Sequence, residues 1–179
     1  RPLQSSGYGG VEFRYRNYAY RSAERTCGIA IGVVPPALSE FIGYTLPSMF
    51  GTDGVRGTPG HEPLDADTVV ALGAAVAAEL GNSPRIVCGR DTRDSGVWLE
   101  QHFAAGFSSE GGTLVSTGVM PTPGVSLIVS SQVFDAGVVI SASHNPHPDN
   151  GIKLLQATGE KSSREFEKRV EARVRRGTN

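Results

Sequence analysis

The stretch Ala136 to Leu155 reads AGVVISASHNPHPDNGIKLL. Ala136 to Ile140 is short, apolar and rich in β-branched residues, and it follows a small turn at Phe134-Asp135, so it predicts a buried strand. Ser141 to Pro146 is polar and turn-forming. Pro146 drives Asn145 away from helical dihedrals, which puts Ser143 on an ordered loop at the carboxyl end of the strand. Ligands of open α/β sheets bind at that end. Gly151 to Leu155 reads as a second short strand that returns after a tight turn, so antiparallel pairing with the first is expected.

Two chemistries suit the loop. In one it is an irregular turn whose hydroxyls and amide bond neighbouring backbone. In the other Ser143 is a nucleophile. Adjacent Ser143 and His144 make a poor hydrolase dyad, because both side chains would have to fold back on each other, and no G-x-S-x-G elbow is present. A phosphate carrier fits better. A phosphoryl group on Ser143 brings about two negative charges that call for cations nearby, and Lys153 lies just beyond the turn.

Working outward, Gly112 to Val119 reads as a strand. Thr122-Pro123 reads as an N-cap followed by proline at the first helical position, opening a helix with Val125, Ile128 and Val129 inward. Arg85 to Gly89 is another buried strand, followed by the charged loop from Arg90 to Gly96. The next helix runs from about Ser95 to Glu110, capped by Asp94 or Ser95; it buries Leu99, Phe103, Gly106 and Phe107, with Trp98 and His102 on its flank as ordinary packing. From Asp65 to Leu80, Val69, Leu72, Gly73, Val76, Ala77 and Leu80 share one helical face, with Asp65 or Asp67 as N-cap and Gly81 past the end. Phe50 to Gly57, FGTDGVRG, is too glycine-rich for a helix. It has the composition of a backbone that closes around an anion, with Arg56 as a permanent cation. The last helix opens with a capping box, Ser162 to Glu165, buries Phe166, Val170 and Val174, and ends in Arg173, Arg175 and Arg176, read as a solvated face. Helices alternating with strands predict an α/β fold, a three-layer α/β/α domain with a mixed, mostly parallel sheet.

The 179 residues suit one well-cored domain, and 39% apolar content with 23 glycines suits a soluble α/β class. A net charge of −1 leaves no electrostatic footprint, so neither nucleic acid nor a membrane is an expected partner. Cys27 and Cys88 form neither a disulfide framework nor a metal spacing; Cys88 reads as a buried hydrophobe, and a reducing cytoplasm is the default. Residues 1–48 stand apart: they hold all five tyrosines and carry a net +2, against −3 for Met49 to Asn179. They read as an atypical, poorly ordered extension, with the Arg/Tyr alternation from Phe13 to Tyr20 as a stacking platform in the other reading.

S-A-S-H-N-P followed by D-N-G-I-K resembles the phosphoserine loop of the α-D-phosphohexomutases. F-G-T-D-G-V-R-G at Phe50 to Gly57 is similar to the opening motif of their phosphoglucosamine mutase branch. G-R-D-T-R-D-S-G at Gly89 to Gly96 and M-P-T-P-G at Met120 to Gly124 match the same family in the same order. The resemblance covers Met49 to about Arg176 and leaves 177–179 as a tail.

The resemblance implies that Ser143 donates a phosphoryl group to the free hydroxyl of a hexose monophosphate, and that the bisphosphate turns over and returns its other phosphoryl group. It implies Lys153 as the cation that balances phosphoserine charge and assists proton transfer. Arg56, His144 and Asn145 would orient the group, and Arg90 and Arg93 would lie near the cleft or at a domain contact. It implies Mg2+, bound by the phosphoserine oxygen of Ser143 and by an aspartate-rich loop of a second domain; no D-x-D-x-D run occurs in this chain. The chain would thus be an inactive amino-terminal fragment of a cytoplasmic phosphoglucosamine mutase. Its substrate would be a hexosamine phosphate, its intermediate glucosamine bisphosphate, and its partner the remaining domains. The alternatives are a phosphoglucomutase or phosphomannomutase, or a non-catalytic sugar-phosphate binding domain.

Overall fold

Ala136–Ile140 is indeed a strand, β4, and all five of its residues are buried. The computed structural model describes residues 48–131 and 133–177. In it β4 lies at the centre of a five-stranded sheet, between β2 (Arg85–Arg90) and β5 (Asn150–Gln156). β2 runs parallel to β4, with Ile86 opposite Ala136 and Arg90 opposite Ile140. β5 runs antiparallel, with Ile152 opposite Ile140, as the tight return required. β3 (Thr113–Val119) pairs parallel with β2 at one edge. β1 (Val55–Gly57) pairs antiparallel with β5 at the other, giving the order β1-β5-β4-β2-β3. The parallel neighbours need crossovers, and helices α1 (Ala66–Leu80), α2 (Ser95–Ser109), α3 (Thr122–Ser131) and α4 (Arg164–Gly177) alternate with the strands.

The layers follow from the two-residue period of the strands. Ile86, Cys88, Val138, Ile140, Ile152 and Leu154 share one cluster with Leu72 and Val76 of α1, Phe103 and Phe107 of α2, and Val170 and Val174 of α4. Val87, Val139 and Leu155 point the other way, onto Val125 and Val129 of α3. Three helices therefore cover one face and one covers the other. Helices α1 and α2 approach closely: a Cβ on Gly106 would lie 1.8 Å from the Val70 carbonyl oxygen, and one on Gly73 2.1 Å from that of Phe103.

Several local expectations shift. Val55–Gly57 is an edge strand; its glycines hid a buried Val55 that anchors it. Asp65, not Asp67, caps α1, accepting from the Thr68 amide at 3.0 Å. Neither Asp94 nor Ser95 caps α2: Asp94 has helical dihedrals and no side-chain cap bond, and the Ser95 hydroxyl accepts from Nδ2 of buried Asn150 at 2.9 Å. Helix α3 begins one residue early, because the Pro121 carbonyl already takes the Gly124 and Val125 amides. In α4 the cap is Ser163, which accepts from the Phe166 amide; buried Ser162 instead donates to Glu167 at 2.9 Å. The arginines of α4 are not simply solvated: Arg169 and Arg173 grip Glu79 of α1, and Arg175 pairs with Glu171.

Cys88 is fully buried, and burial pushes its thiol far up. Ser48 donates to Glu171 of α4 at 2.9 Å. The expectations for residues 1–47, Cys27 among them, and for 178–179 lie outside the described residues. Among the described residues no helix is long and apolar enough to cross a membrane.

Candidate active site

Two chain segments leave the sheet side by side at the carboxyl ends of β2 and β4. They are tied at once, the Asp91 amide donating to the Ile140 carbonyl at 3.0 Å. The segment after β4, residues 141–149, is the loop singled out above. Ser143 lies on it exposed, at φ 54°, in the left-handed region that a non-glycine residue occupies only when its surroundings impose it. Its Oγ is 3.5 Å from His144 Nδ1, and its amide donates to Ser141 Oγ at 3.1 Å. Ser141 in turn donates to Asp91 Oδ2 at 2.7 Å.

Arg93 fills the loop from behind. Its Nη1 donates to the carbonyls of Pro146 at 2.7 Å, His147 at 3.2 Å and Asp149 at 2.9 Å; its Nη2 donates to those of Ser143 at 3.0 Å and Asn145 at 2.9 Å. Its Nε holds Asp91 Oδ2 at 3.2 Å, and the side chain is only 10% exposed.

The opposite flank comes from β1, where Arg56 stands across from Gly151. Arg56 Nη1 donates to the Ala142 carbonyl at 2.9 Å and to Asn145 Oδ1 at 2.8 Å, bracketing Ser143. Its Nη2 reaches Asp53 at 2.6 Å, while its Nε is buried without a partner among the described residues. Lys153, on β5, places Nζ 2.5 Å from the other Asp53 oxygen. Asp53 therefore bridges the two cations. Its carboxyl is held below the usual aspartate value by the Lys153 hydrogen bond against the opposing effect of partial burial, with Arg56 adding to the lowering.

The fold thus gathers Ser143, His144, Asn145, Arg56 and Arg93 around one loop and joins Lys153 through Asp53. Arg90 is not among them, since its Nε pairs with Glu100 of α2 at 3.0 Å. Sequence reading passed over Asp53, Asp91 and Ser141. Each had a local signal: Asp53 is three residues before Arg56, Asp91 two before Arg93, and Ser141 two before Ser143, the offset of a side chain that bonds its neighbour's backbone.

An exposed hydroxyl bracketed by the Arg56 guanidinium, with the Lys153 ammonium joined to that guanidinium through Asp53, can carry an anionic group. A divalent cation is a different matter. Among the described residues no three His, Cys, Asp or Glu side chains converge, and Asp53 is committed to two cations, so these residues do not by themselves build a magnesium site.

A family model described as phosphoglucomutase/phosphomannomutase, alpha/beta/alpha domain I, matches residues 47–179. A phosphoglucosamine mutase of Deinococcus deserti is 50% identical over 128 residues, 70% of this chain and 29% of that protein. One of Koribacter versatilis is 44% identical over 129 residues, 70% of this chain and 28% of the relative. The chain thus spans less than a third of the length of these curated relatives. Among solved structures, a phosphoglucomutase/phosphomannomutase family protein from Burkholderia thailandensis superposes with a TM-score of 0.64 at 27% identity, over 73% of this chain and 30% of that one. The chain is a homologue of the phosphoglucosamine mutases and belongs to the phosphoglucomutase/phosphomannomutase family, whose alpha/beta/alpha domain I it carries.

Proposed function

We propose that Ser143 is the phosphoryl carrier of a phosphohexomutase that interconverts glucosamine 6-phosphate and glucosamine 1-phosphate, and that residues 49–176 are its first domain. The observation that carries this reading is the setting of Ser143: exposed, held in a left-handed conformation, and bracketed by Arg56 at Ala142 and Asn145. In the forward step the P–Oγ bond of phosphoserine 143 breaks and a P–O bond forms to the free hydroxyl of the sugar monophosphate. The sugar hydroxyl proton leaves, and Oγ takes one up. In the return step the other phosphoryl group of the bisphosphate moves back to Oγ.

Transfer of this kind is governed by positioning and by neutralising charge spread over the phosphoryl oxygens. Arg56 supplies a fixed planar cation. Lys153 supplies a compact one, joined to Arg56 through Asp53. The choice of a hexosamine rests on the relatives' names. The sugar-binding groups belong to the remaining domains.

Phosphopeptide mapping of the longer protein that carries this sequence tests the reading, with phosphate expected on Ser143. Ser143→Ala should abolish turnover of glucosamine 6-phosphate and leave the unfolding midpoint nearly unchanged, because an exposed hydroxyl adds little to the core. Phosphate on Ser141, or on neither serine, in an active preparation would overturn it.

A further inference from the structure

We infer that Arg93 is a positioning residue that shapes the phosphoserine loop through its backbone, rather than a ligand of phosphate or sugar; this rests on the functional reading of Ser143 given above. Five carbonyl oxygens of the loop, those of Ser143, Asn145, Pro146, His147 and Asp149, converge on one guanidinium. Backbone carbonyls repel one another when gathered, so a chain turns five of them to one point only around a cation. With Nε on Asp91, all three nitrogens of the fork are engaged within the protein. The side chain is almost enclosed, so no donor is left to face a ligand.

Only guanidinium chemistry suits the place. The five acceptors are shared between two nitrogens held in one plane, whereas an ammonium has three donors radiating from a point. The clamp also reaches Ser143 directly, since its carbonyl is one of the five and Asp91, which holds Arg93, also holds Ser141 under the Ser143 amide. The left-handed dihedral of Ser143 is thus set on its carbonyl side by Arg93 and on its amide side by Ser141.

The experiment is amide hydrogen exchange on the 179-residue chain, with the loop-bonded amides of Ser143, Asn145 and Asp149 as reporters and Val138 and Leu154 in the sheet as controls. Arg93→Ala should speed exchange at the reporters about tenfold and leave the controls within about twofold. Arg93→Lys should resemble Arg93→Ala. Guanidinium ion added to Arg93→Ala at millimolar concentration should restore protection that sodium at equal ionic strength does not. Unchanged reporter exchange in Arg93→Ala, or full protection in Arg93→Lys, overturns the assignment. If Arg93→Ala fails to fold, Arg93→Lys carries the same comparison.

In the longer protein, Arg93→Lys should lower kcat about a hundredfold with KM within about twofold, the mark of a misplaced reacting group. A raised KM with kcat intact would make Arg93 a substrate ligand and overturn the proposal. The exchange arm is indifferent to phosphate. Loss of loop protection together with an unphosphorylated Ser143 in the active protein would leave the clamp standing and remove the functional reading.

Discussion

Gly54→Ala should disable the site without unfolding the domain. Gly54 has φ 91°, where an L side chain costs about 1–2 kcal/mol. The new Cβ would lie 2.4 Å from the Ile152 carbonyl oxygen, against the 3.4 Å at which ordinary contact begins, so β1 must withdraw from β5 by about 1 Å. Overpacking against backbone adds about 1–3 kcal/mol. Opposing this is the anchor of β1: fully buried Val55, worth about 1.5–3 kcal/mol, and three paired residues. The two sides are of similar size. The edge strand therefore shifts or frays while both core clusters, which lie mainly on the other strands and the helices, persist.

Asp53 and Arg56 flank Gly54 and move with it. Hydrogen bonds of 2.6–2.9 Å do not survive a displacement of that size. Turnover in the longer protein should fall about a hundredfold, and exchange at Val55 and Ile152 should rise in this chain. Gly60→Ala is the control. Gly60 has φ 88°, but a Cβ there would meet no heavy atom within 4 Å, so the substitution carries the dihedral cost without the clash. Turnover of Gly54→Ala within twofold of the parent, or an equal loss in Gly60→Ala, refutes the reasoning.

Gly106→Ala should lower stability by about 2 kcal/mol or more in urea unfolding, because the 1.8 Å approach to Val70 is to backbone, and the gain of about 1 kcal/mol in helix propensity is the smaller effect; a more stable variant would refute the close helix contact. Asp53 has its folded carboxyl pKa lowered below 3.8, so its contribution is present above 3.8 and is lost as pH falls through the folded value. At 43% exposure the contribution is about 0.2–1 kcal/mol, and Asp53→Asn should be less stable than the parent at neutral pH, with the gap closing in acid; a gap that widens in acid contradicts the pairing.

The Ser143 loop, the strand before it and the antiparallel return were legible in the chain, because apolar runs, proline and tight turns act over a few residues. The helices were legible too, from the period of Val69, Leu72, Val76 and of Leu99, Phe103, Phe107. Caps failed where another group claimed the side chain: Asn150 takes the Ser95 hydroxyl and α2 is left without a side-chain cap, while Glu167 takes Ser162 and the cap of α4 moves on to Ser163. The strand at Val55 was hidden among glycines, because the strand it pairs with, β5, lies about a hundred residues later in the chain.

Ser143, Lys153 and Arg56 could be named from sequence, since their chemistry is in the residue type and the motif. What Arg93 does could not. A guanidinium that meets five carbonyls fifty or more residues away in the chain has no pattern of its own, for backbone acceptors are the same in every residue. Nor could the bridging of Lys153 and Arg56 by Asp53 be read, because it depends on β1 docking against β5. Sequence alone determined the helices and the strands other than β1 and singled out Ser143 as the candidate carrier; only the tertiary structure decided that β1 forms, which charges neutralise one another and which one holds the loop, because edge pairing and charge pairing are settled by distances between segments that only the packed sheet brings together.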